Sequence, residues 1–474
     1  MKKTLLFILF ILTALSGCTT TKVDIDKLII YSLNDLHGSV DSEDFAILGD
    51  FLLEEKNKNP DNIVILAAGD MLQGTAISNM SQGKVIIELM NEIGFDAMTI
   101  GNHEFDWGID VIKGFVADGD VRATFPLLGA NIYEKASDDR VSWAEPYAII
   151  ERGDLKVGII GTIGESLTSS ISPSIIKPYT FKDELATIKT YAKELRSEKN
   201  VDIVIVLSHN DTRDYNQALA DLVGDYQIDA VINGHTHANY YGETRGTEKR
   251  LPYVQSSSNA KVVGKIVLDI DEDNNVIDGS AMNIKVDYLY NEPNNRLNDI
   301  IDKYNQEAGK ISSKIIGIAG KNITRFDGTI WAASVIREKT NADVGIVNYG
   351  GIRSVAFPIN NGESITIGRI WELMPFDNIV KTVDLKVSDI VSFLNRDGMV
   401  YSNNIYLDKN NNLIKIDGYE YYGDDILNVA TIDYLFDNER YVFLDGDNIY
   451  NTNDLIRDCL IENLENTSGL FYGS

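Results

Sequence analysis

Short apolar runs that end in polar residues recur along the first half of the chain. They are rich in Ile and Val and bounded by Gly, Asn or Asp, which is typical of buried strands. They cover residues 28–35, 63–70, 97–103, 156–161, 202–210 and 230–237. Apolar residues at helical spacing lie between several of them, as at 84–93 and 182–199. This alternation predicts an α/β layered domain with polar side chains at the carboxyl ends of its strands, where open α/β sheets bind ligands.

The pattern changes after residue 288. A breaker cluster at 291–295 is followed by Leu297, Ile300, Ile301, Tyr304 and Ala308 at helical spacing. We therefore predict a first domain over 28–288, a linker helix over 289–312 and a second domain over 313–474. The second domain has its own strand patterns at 344–348 and 379–384 and a helical pattern at 329–339.

The N-terminus has the pattern of an export signal. Lys2 and Lys3 precede an apolar stretch over 5–15, which is shorter than the roughly 20 residues that a membrane span needs. The sequence Leu-Ser-Gly-Cys that ends at Cys18 resembles a bacterial lipobox, in which the cysteine is lipidated and becomes the mature N-terminus. We expect a signal peptide over 1–17, a lipidated tether over 18–27 and a protein held on a membrane surface outside the cytoplasm. The alternative is a plain signal peptide with an incidental cysteine.

Charge and cysteine content exclude two classes of protein. The 474 residues include 43 Lys and Arg against 71 Asp and Glu, a formal net charge of −28. So acidic a surface repels phosphate backbones, so nucleic acid polymers are not expected partners. The two cysteines, Cys18 and Cys459, exclude a disulfide framework, and Cys459 in a helical pattern is expected to be a small buried hydrophobe.

The histidines are distributed in a way that predicts a metal site. All five lie at the polar ends of predicted strands, and none follows His237. Asp35 and His37 are two residues apart in a segment read as extended, which would put both side chains on one face, and His235 and His237 repeat this spacing. With them we group carboxylate and amide residues at neighbouring strand ends, so the candidate ligands are Asp35, His37, Asp70, Asn102, His209, His235 and His237.

This set predicts two metal ions. Nitrogen and oxygen ligands suit divalent Zn, Mn, Co, Fe or Mg and leave the choice among them open. Seven ligands exceed what one tetrahedral ion requires, and they are enough for two ions that share a carboxylate. Two adjacent cations are suited to displacement at phosphorus. His103 and Asp106, three residues apart, would be neighbours on a helical turn, where the carboxylate fixes the imidazole tautomer.

The blocks at 34–38, 69–70, 101–108, 208–210 and 234–237 together resemble the calcineurin-like metallophosphatase domain of bacterial 5′-nucleotidases. The resemblance implies a four-layer β-sandwich flanked by helices. It also implies two ion sites that share Asp70 as a bridging ligand. One would consist of Asp35, His37, Asp70 and His237, and the other of Asp70, Asn102, His209 and His235. By the same resemblance, His103, oriented by Asp106, would stabilise the transferring phosphoryl group.

The second domain resembles the α+β substrate-binding domain of the same family. Residues 348–353 are similar to its Asn-Gly-Gly-Gly-Ile-Arg signature, with Tyr349 replacing one glycine, and 374–378 to its Leu-Pro-Phe-x-Asn. The implied substrate-binding residues are Asn348, Gly350, Gly351, Arg353, Phe376 and Asn378. The family's glycine-rich aromatic loop is altered at 436–441, where Tyr441 could fill the aromatic position. Tyr401 and Tyr406 are candidates for a second ring beside the base.

These observations predict a two-metal phosphohydrolase. By resemblance its substrates are nucleoside monophosphates, with 2′,3′-cyclic nucleotides and nucleotide sugars as further substrates. The altered loop keeps open a phosphoesterase for a non-nucleotide ester. A surface lipoprotein that binds nucleotides without turnover is a third hypothesis, although a binding module does not need a dinuclear ligand set.

Overall fold

The computed structural model describes residues 25–40, 42–117, 119–210, 213–289, 295–467 and 470–471. The predicted signal peptide, Cys18 and most of the predicted tether lie outside the described residues. The first strand begins at Lys27, the last residue of the predicted tether. Within these ranges no helix is both long and apolar enough to span a bilayer.

The first domain alternates strands and helices, as its apolar pattern predicts. β2 is buried at all five of its positions, which explains its uninterrupted apolar sequence. α1 begins where the Ser42 side chain accepts from the backbone N–H of Phe45. In chain order the elements are β1 (Lys27–Leu33), α1 (Glu43–Lys58), β2 (Ile63–Ala67), α2 (Ala76–Ser81), α3 (Lys84–Ile93), β3 (Ala97–Thr99), α4 (Ile109–Val116), β4 (Leu127–Leu128), β5 (Ile132–Glu134), β6 (Tyr147–Arg152), β7 (Leu155–Ile163), α5 (Pro173–Ile176), β8 (Tyr179–Phe181), α6 (Glu184–Lys193), β9 (Ile203–His209), α7 (Arg213–Ala220), β10 (Ala230–Asn233), β11 (Asn239–Arg245), β12 (Arg250–Ser256), β13 (Val262–Ile270) and β14 (Val276–Lys285).

Two six-stranded sheets form the centre of this domain. Their strand orders are β14-β13-β1-β2-β3-β4 and β11-β12-β10-β9-β7-β6. One apolar cluster joins the two sheets through residues such as Leu66 and Ile205. A second cluster packs α1 and α3 on the first sheet, and a third packs α6 and α7 on the second. The result is the four-layer helix–sheet–sheet–helix sandwich that the resemblance implies.

The predicted linker helix is present as α8 (Asn295–Ser312). Its buried residues Leu297, Ile301 and Tyr304 belong to the apolar cluster of α1 and α3. The Tyr304 hydroxyl donates to Glu88 of α3 at 2.8 Å. The helix is therefore anchored on the first domain, and the chain enters the second domain after it.

The second domain has a separate apolar core of residues from 316 to 464. Its central sheet has the order β19-β16-β23-β18-β24, and two three-stranded sheets flank it. α9 starts with a reciprocal capping box between Thr324 and Asp327. The elements are β15 (Ile315–Ala319), α9 (Arg325–Thr340), β16 (Val344–Asn348), β17 (Ser364–Thr366), α10 (Ile367–Leu373), β18 (Ile379–Lys386), α11 (Val387–Leu394), β19 (Met399–Tyr401), β20 (Ile405–Asp408), β21 (Leu413–Ile416), β22 (Tyr419–Tyr422), β23 (Ile426–Ile432), α12 (Asp433–Phe436), β24 (Asp447–Leu455), α13 (Ile456–Asn466) and β25 (Leu470–Phe471).

Candidate active site

The candidate metal ligands lie on loops that leave the carboxyl ends of the strands. β1 ends at Leu33, β2 at Ala67 and β10 at Asn233, so most ligands follow a strand by two or more residues. His209 differs, since it is the last residue of β9. Backbone bonds hold two of the loops together, because the N–H of Asp35 donates to Gly69 and that of His37 to Asp70.

The expectation that Asp35 and His37 lie in an extended segment is wrong, and so is the same expectation for His235 and His237. Five ligands have left-handed backbone conformations, with φ of 50° at Asp35, 49° at His37, 53° at Asp70, 84° at His235 and 58° at His237. Non-glycine residues rarely adopt this region, and such strain clusters at functional sites. The turns after the strands, rather than strand alternation, direct these side chains. As a result, the side chains of His235 and His237 lie in two different clusters of candidate ligands.

The first group is Asp35, His37 and His237, whose potential ligand atoms lie within 4.8 Å of one another. The Nε2 atoms of His37 and His237 are 2.9 Å apart. Nε2 of His237 is 3.6 Å from the Asp35 carboxylate. Asp35 and His37 are buried, whereas the side chain of His237 is 42% exposed. This group therefore opens to solvent on the His237 side.

The second group is Asp70, His209 and His235, again within 4.8 Å. Nε2 of His209 lies 3.2 Å from Asp70 and 3.2 Å from the amide oxygen of Asn102. The same Asn102 oxygen is 3.1 Å from Nδ1 of His235. All four side chains that the resemblance assigns to this ion therefore converge.

Backbone carbonyls orient two of the imidazoles. Nδ1 of His37 lies 3.0 Å from the carbonyl of Gln73, and Nδ1 of His209 lies 2.7 Å from that of Ala68. A proton on Nδ1 leaves the Nε2 lone pair facing the other ligands, as a metal-binding imidazole requires. Close packing at Gly101 also fixes the position of Asp70, since a Cβ at Gly101 would lie 2.3 Å from the Asp70 carboxylate.

The electrostatics of the protein alone favour bound cations. Burial and the neighbouring Asp70 raise the pKa of Asp35 to about 7 despite the opposing effect of His209. Burial acts to raise the pKa of Asp70 as well, but His209 and His103 outweigh it and hold that pKa low. Burial lowers the pKa of His235 to about 4. Burial acts to lower the pKa of His209, but Asp70 and Asp35 outweigh it and raise that pKa to about 10, so the carboxylates hold a proton that a bound metal ion would displace. Carboxylate and imidazole ligands fit divalent ions, so the donor set agrees with the two ions of the resemblance.

The two residues predicted to be catalytic, His103 and Asp106, also come together. Nδ1 of His103 is 2.7 Å from the Asp106 carboxylate, and Nε2 is 3.2 Å from a guanidinium nitrogen of Arg353. Burial acts to lower the pKa of His103, but Asp106 and Asp70 outweigh it and raise the pKa. The backbone N–H of His103 donates to Asp70 at 2.8 Å. The pair is thus fixed beside the second group and faces the second domain.

Glu104 is a site residue that the sequence analysis missed. Its buried carboxylate accepts from the backbone N–H groups of four residues, Asp70, Met71, Leu72 and Gly101, at 2.7–3.2 Å. It therefore ties the loop after β2 to the loop after β3. The available signal was an acidic residue inside the 101–108 block, whose other polar residues already had assigned roles.

A cleft between the two domains leads to His103. On the first-domain side it is bounded by Ser170, Ser172 and Ile175 as well as by Asn102, Asp106 and His235. The second domain supplies six of the seven predicted substrate-binding residues, which are Asn348, Gly350, Gly351, Arg353, Phe376 and Asn378. The Phe376 ring stacks on His103 at 5.9 Å between centroids and also lies 5.1 Å from the Arg353 guanidinium.

Tyr441, the seventh predicted residue, is not among the residues that line this cleft. Its ring packs edge-on against Phe393 at 5.1 Å and lies 5.2 Å from the Arg396 guanidinium. Tyr434 lines the cleft instead, and its hydroxyl donates across the domain boundary to the carbonyl of Ser169 at 3.2 Å. Asn378 also acts on this wall, because its amide donates to Asp433 at 2.9 Å. No sequence motif points to Tyr434 as a residue of the cleft.

The chain has relatives among known proteins. The endonuclease YhcR of Bacillus subtilis is 30% identical over 406 residues, which are 78% of this chain and 32% of that protein. The 5′-nucleotidase of Vibrio parahaemolyticus is 25% identical over 448 residues, which are 81% of this chain and 78% of that protein. The chain spans only 60–62% of three further curated relatives.

Solved structures and family comparisons agree on the architecture. The 5′-nucleotidase precursor of Thermus thermophilus superposes with a TM-score of 0.73 at 20% identity, over 94% of this chain and 98% of that one, which shows a shared fold. Residues 29–239 match the calcineurin-like phosphoesterase family, and residues 327–442 match the 5′-nucleotidase C-terminal domain. Calcineurin-like metallophosphatases use two divalent metal ions, in agreement with the two ligand groups. The chain therefore belongs to the calcineurin-like metallophosphatases of the 5′-nucleotidase type.

Proposed function

We propose that this protein is an extracytoplasmic two-metal phosphohydrolase that releases phosphate from nucleoside monophosphates. One observation carries the proposal. His103 is held by Asp106 on one ring nitrogen and faces Arg353 on the other, directly beside the two ligand groups. A nucleotide-binding protein without turnover has no need for this pair.

The residues around His103 have separate roles in the proposal. Asp35, His37, Asp70 and His237 would hold one ion, and Asp70, Asn102, His209 and His235 the other. Divalent ions, when bound at these positions, would supply charge neutralisation at the phosphoryl group and activation of a water molecule. Arg353 would bind the phosphate through its planar fork of donors. His103 in its protonated form would present an N–H at Nε2 to the phosphoryl group, since Asp106 and Asp70 outweigh burial and raise its pKa.

A hydrolysis assay tests this proposal. The purified chain, reconstituted with Mn²⁺ or Zn²⁺, is expected to release phosphate from AMP, and chelation of the metals is expected to abolish release. A protein that carries metal but releases phosphate from neither AMP nor an aryl phosphate would contradict the proposal.

A second candidate function is hydrolysis of a non-nucleotide phosphate ester. It is favoured by the position of Tyr441, which packs against Phe393 rather than along the cleft. Equal kcat/KM for AMP and for ribose 5-phosphate would favour this candidate. A clear preference for AMP would favour the nucleotidase.

Membrane anchoring at Cys18 is part of the proposal. It rests on the N-terminal sequence pattern, with the lipid supplied at the Cys18 thiol. Metabolic labelling with a radioactive fatty acid in a bacterial host is expected to label the full-length chain. Loss of the label in Cys18→Ser, with label retained in Cys459→Ser, is the expected result, and label that persists in Cys18→Ser would contradict it.

A further inference from the structure

Gln73 connects the loop after β2 to the second domain. This loop, residues 68–75, carries the candidate ligand Asp70 and is called the metal-ligating loop below. Gln73 lies three residues after Asp70, and its side chain is fully buried. Its backbone carbonyl accepts from Nδ1 of His37 at 3.0 Å. The peptide that follows is packed on the same ligand, since a Cβ at Gly74 would lie 2.1 Å from the His37 carbonyl oxygen. The backbone position of Gln73 is therefore fixed by His37, a member of the first ligand group.

The side chain of Gln73 reaches the other domain. Its amide oxygen accepts from Nη2 of Arg353 at 3.3 Å, and the same nitrogen is 3.2 Å from Nε2 of His103. Arg353 therefore lies between a residue of the metal-ligating loop and the catalytic pair. A second contact of this loop supports the coupling. The side-chain amide of Asn79 accepts from the backbone N–H of Gly74 and donates to the Gly74 carbonyl. It also donates to the Trp371 carbonyl in the second domain at 3.5 Å.

A neutral amide is a suitable partner for this arginine. It accepts one N–H without cancelling the guanidinium charge, which a carboxylate in the same place would do. The other donors of Arg353 stay available to an anion. Nε2 of Gln73 is buried and has no hydrogen-bond partner among the described residues.

We propose that Gln73 is a positioning residue, which holds Arg353 at the phosphate end of the cleft and so ties the second domain to the metal-ligating loop. The inference rests on the proposed function, because it takes the anion that Arg353 binds to be a phosphate. Gln73 does not hold a metal with its side chain, and its carbonyl bond to His37 survives any side-chain change. Its contribution should therefore appear in phosphate binding and not in metal content.

A double-mutant cycle tests the inference. The full-length chain, loaded with Mn²⁺, is titrated with inorganic phosphate in a calorimeter as wild type, Gln73→Met, Arg353→Met and the double variant. Methionine keeps the volume of glutamine and removes its hydrogen bonds. We expect Gln73→Met to weaken phosphate binding by about tenfold, the usual cost of a hydrogen bond to a charged group. The double variant should bind no more weakly than Arg353→Met alone, because the two side chains act together.

Metal content and a matched substitution complete the test. Gln73→Met should retain the metal content of the wild type, and Gln217→Met, a change on the exposed face of α7, should retain its phosphate affinity. Unchanged or tighter phosphate binding in Gln73→Met would overturn the inference, as would loss of metal or effects that multiply in the double variant. Absence of phosphate binding by the wild type would overturn it too. Phosphate binding with this coupling but without ester hydrolysis would contradict only the proposed function.

Discussion

The Nε2 atoms of His37 and His237 face each other at 2.9 Å, although the two residues are 200 positions apart in the chain. Nδ1 of His37 is already engaged by the Gln73 carbonyl, so its Nε2 presents a lone pair toward His237. Nε2 of His237 is at the same time 3.6 Å from the Asp35 carboxylate. This convergence of lone pairs and negative charge defines the more exposed of the two ligand groups.

We therefore predict that His237→Ala lowers the bound metal from about two ions to about one, since His237 belongs to only one of the two ligand groups. The ion bound by Asp70, His209 and His235 should remain. Metal analysis after dialysis against a weak chelator measures the change. Tyr241→Ala, an exposed change on β11, serves as the control. Retention of both ions by His237→Ala would refute the assignment of this group.

The pair formed by His103 and Asp106 gives a second prediction. His103→Ala should lower kcat for AMP by about 10² to 10⁴ fold, the range for loss of a positioned acid or base. Asp106→Asn should lower kcat by a smaller factor, because the imidazole remains but its tautomer is no longer fixed. Both variants should keep the metal content of the wild type, since neither side chain belongs to a ligand group. Steady-state kinetics and metal analysis on the same samples check this, and a loss of metal that explains the lost rate would count against a catalytic role for the pair.

Glu104 gives a third prediction, on stability. Four backbone N–H groups donate to its carboxylate, and a neutral amide cannot accept all of them without turning its own N–H₂ toward one. Glu104→Gln should therefore lower the free energy of unfolding by about 3 kcal/mol and weaken metal binding. Urea unfolding of the metal-free protein isolates the first effect. A change below about 0.5 kcal/mol, the range of ordinary surface substitutions, would show that the loops are held by other contacts.

The sequence predicts which residues meet at the site but not how the backbone presents them. Asp70 and His209 were predictable because each follows an apolar run, and parallel strands bring their carboxyl ends together. The left-handed conformations of Asp35 and His37 were not, since they depend on bonds to Gly69 and Asp70 from a neighbouring strand end. The role of Glu104 was hidden for the same reason, because three of its partners lie on a loop 32–34 residues away in the chain.

The positions of the two tyrosines near the cleft could not be predicted from the sequence for a different reason. Tyr434 lies in the short helix α12, whereas Tyr441 follows seven positions later, beyond the end of this helix. The bond from Asn378 to Asp433 fixes the start of that helix, and the ring of Tyr434 then lines the cleft. Tyr441 instead packs against Phe393 in the core of its own domain. No local pattern in the sequence distinguishes the two tyrosines.

A fourth prediction concerns acid stability away from the site. Burial disfavours ionised Asp229, but Lys249 and Arg196 outweigh it and lower its pKa below the ordinary 3.8. The carboxylate thus stabilises the fold above the unfolded pKa, and this contribution is lost as pH falls through the lower folded pKa. Lys249→Met should lower the free energy of unfolding at neutral pH by about 3 kcal/mol. It should also raise the folded pKa toward the unfolded value, so that less stability is lost between pH 7 and pH 3 than in the wild type.

Urea unfolding between pH 3 and pH 7 measures both effects, with the exposed Lys193→Met as the matched control. Lys193→Met should follow the wild-type profile, since no ion pair of Lys193 is present in the described part of the chain. Identical profiles for Lys249→Met and Lys193→Met would show that Arg196 alone, at 2.5 Å from the carboxylate, suffices to keep Asp229 ionised.

The last prediction separates the two tyrosines by substrate. A ring along the cleft contacts the organic part of the substrate, and stacking on a base contributes about 1–3 kcal/mol. Tyr434→Ala should therefore lower kcat/KM for AMP about tenfold more than for ribose 5-phosphate, which lacks the base. Tyr441→Ala should lower both by a similar factor, because its ring supports Phe393 rather than the cleft. Tyr434→Phe keeps the ring and removes only the bond to Ser169, so it should retain the preference for AMP. A selective loss of AMP hydrolysis in Tyr441→Ala would assign base contact to Tyr441 and make the cleft wall at Tyr434 a purely structural contact between the domains.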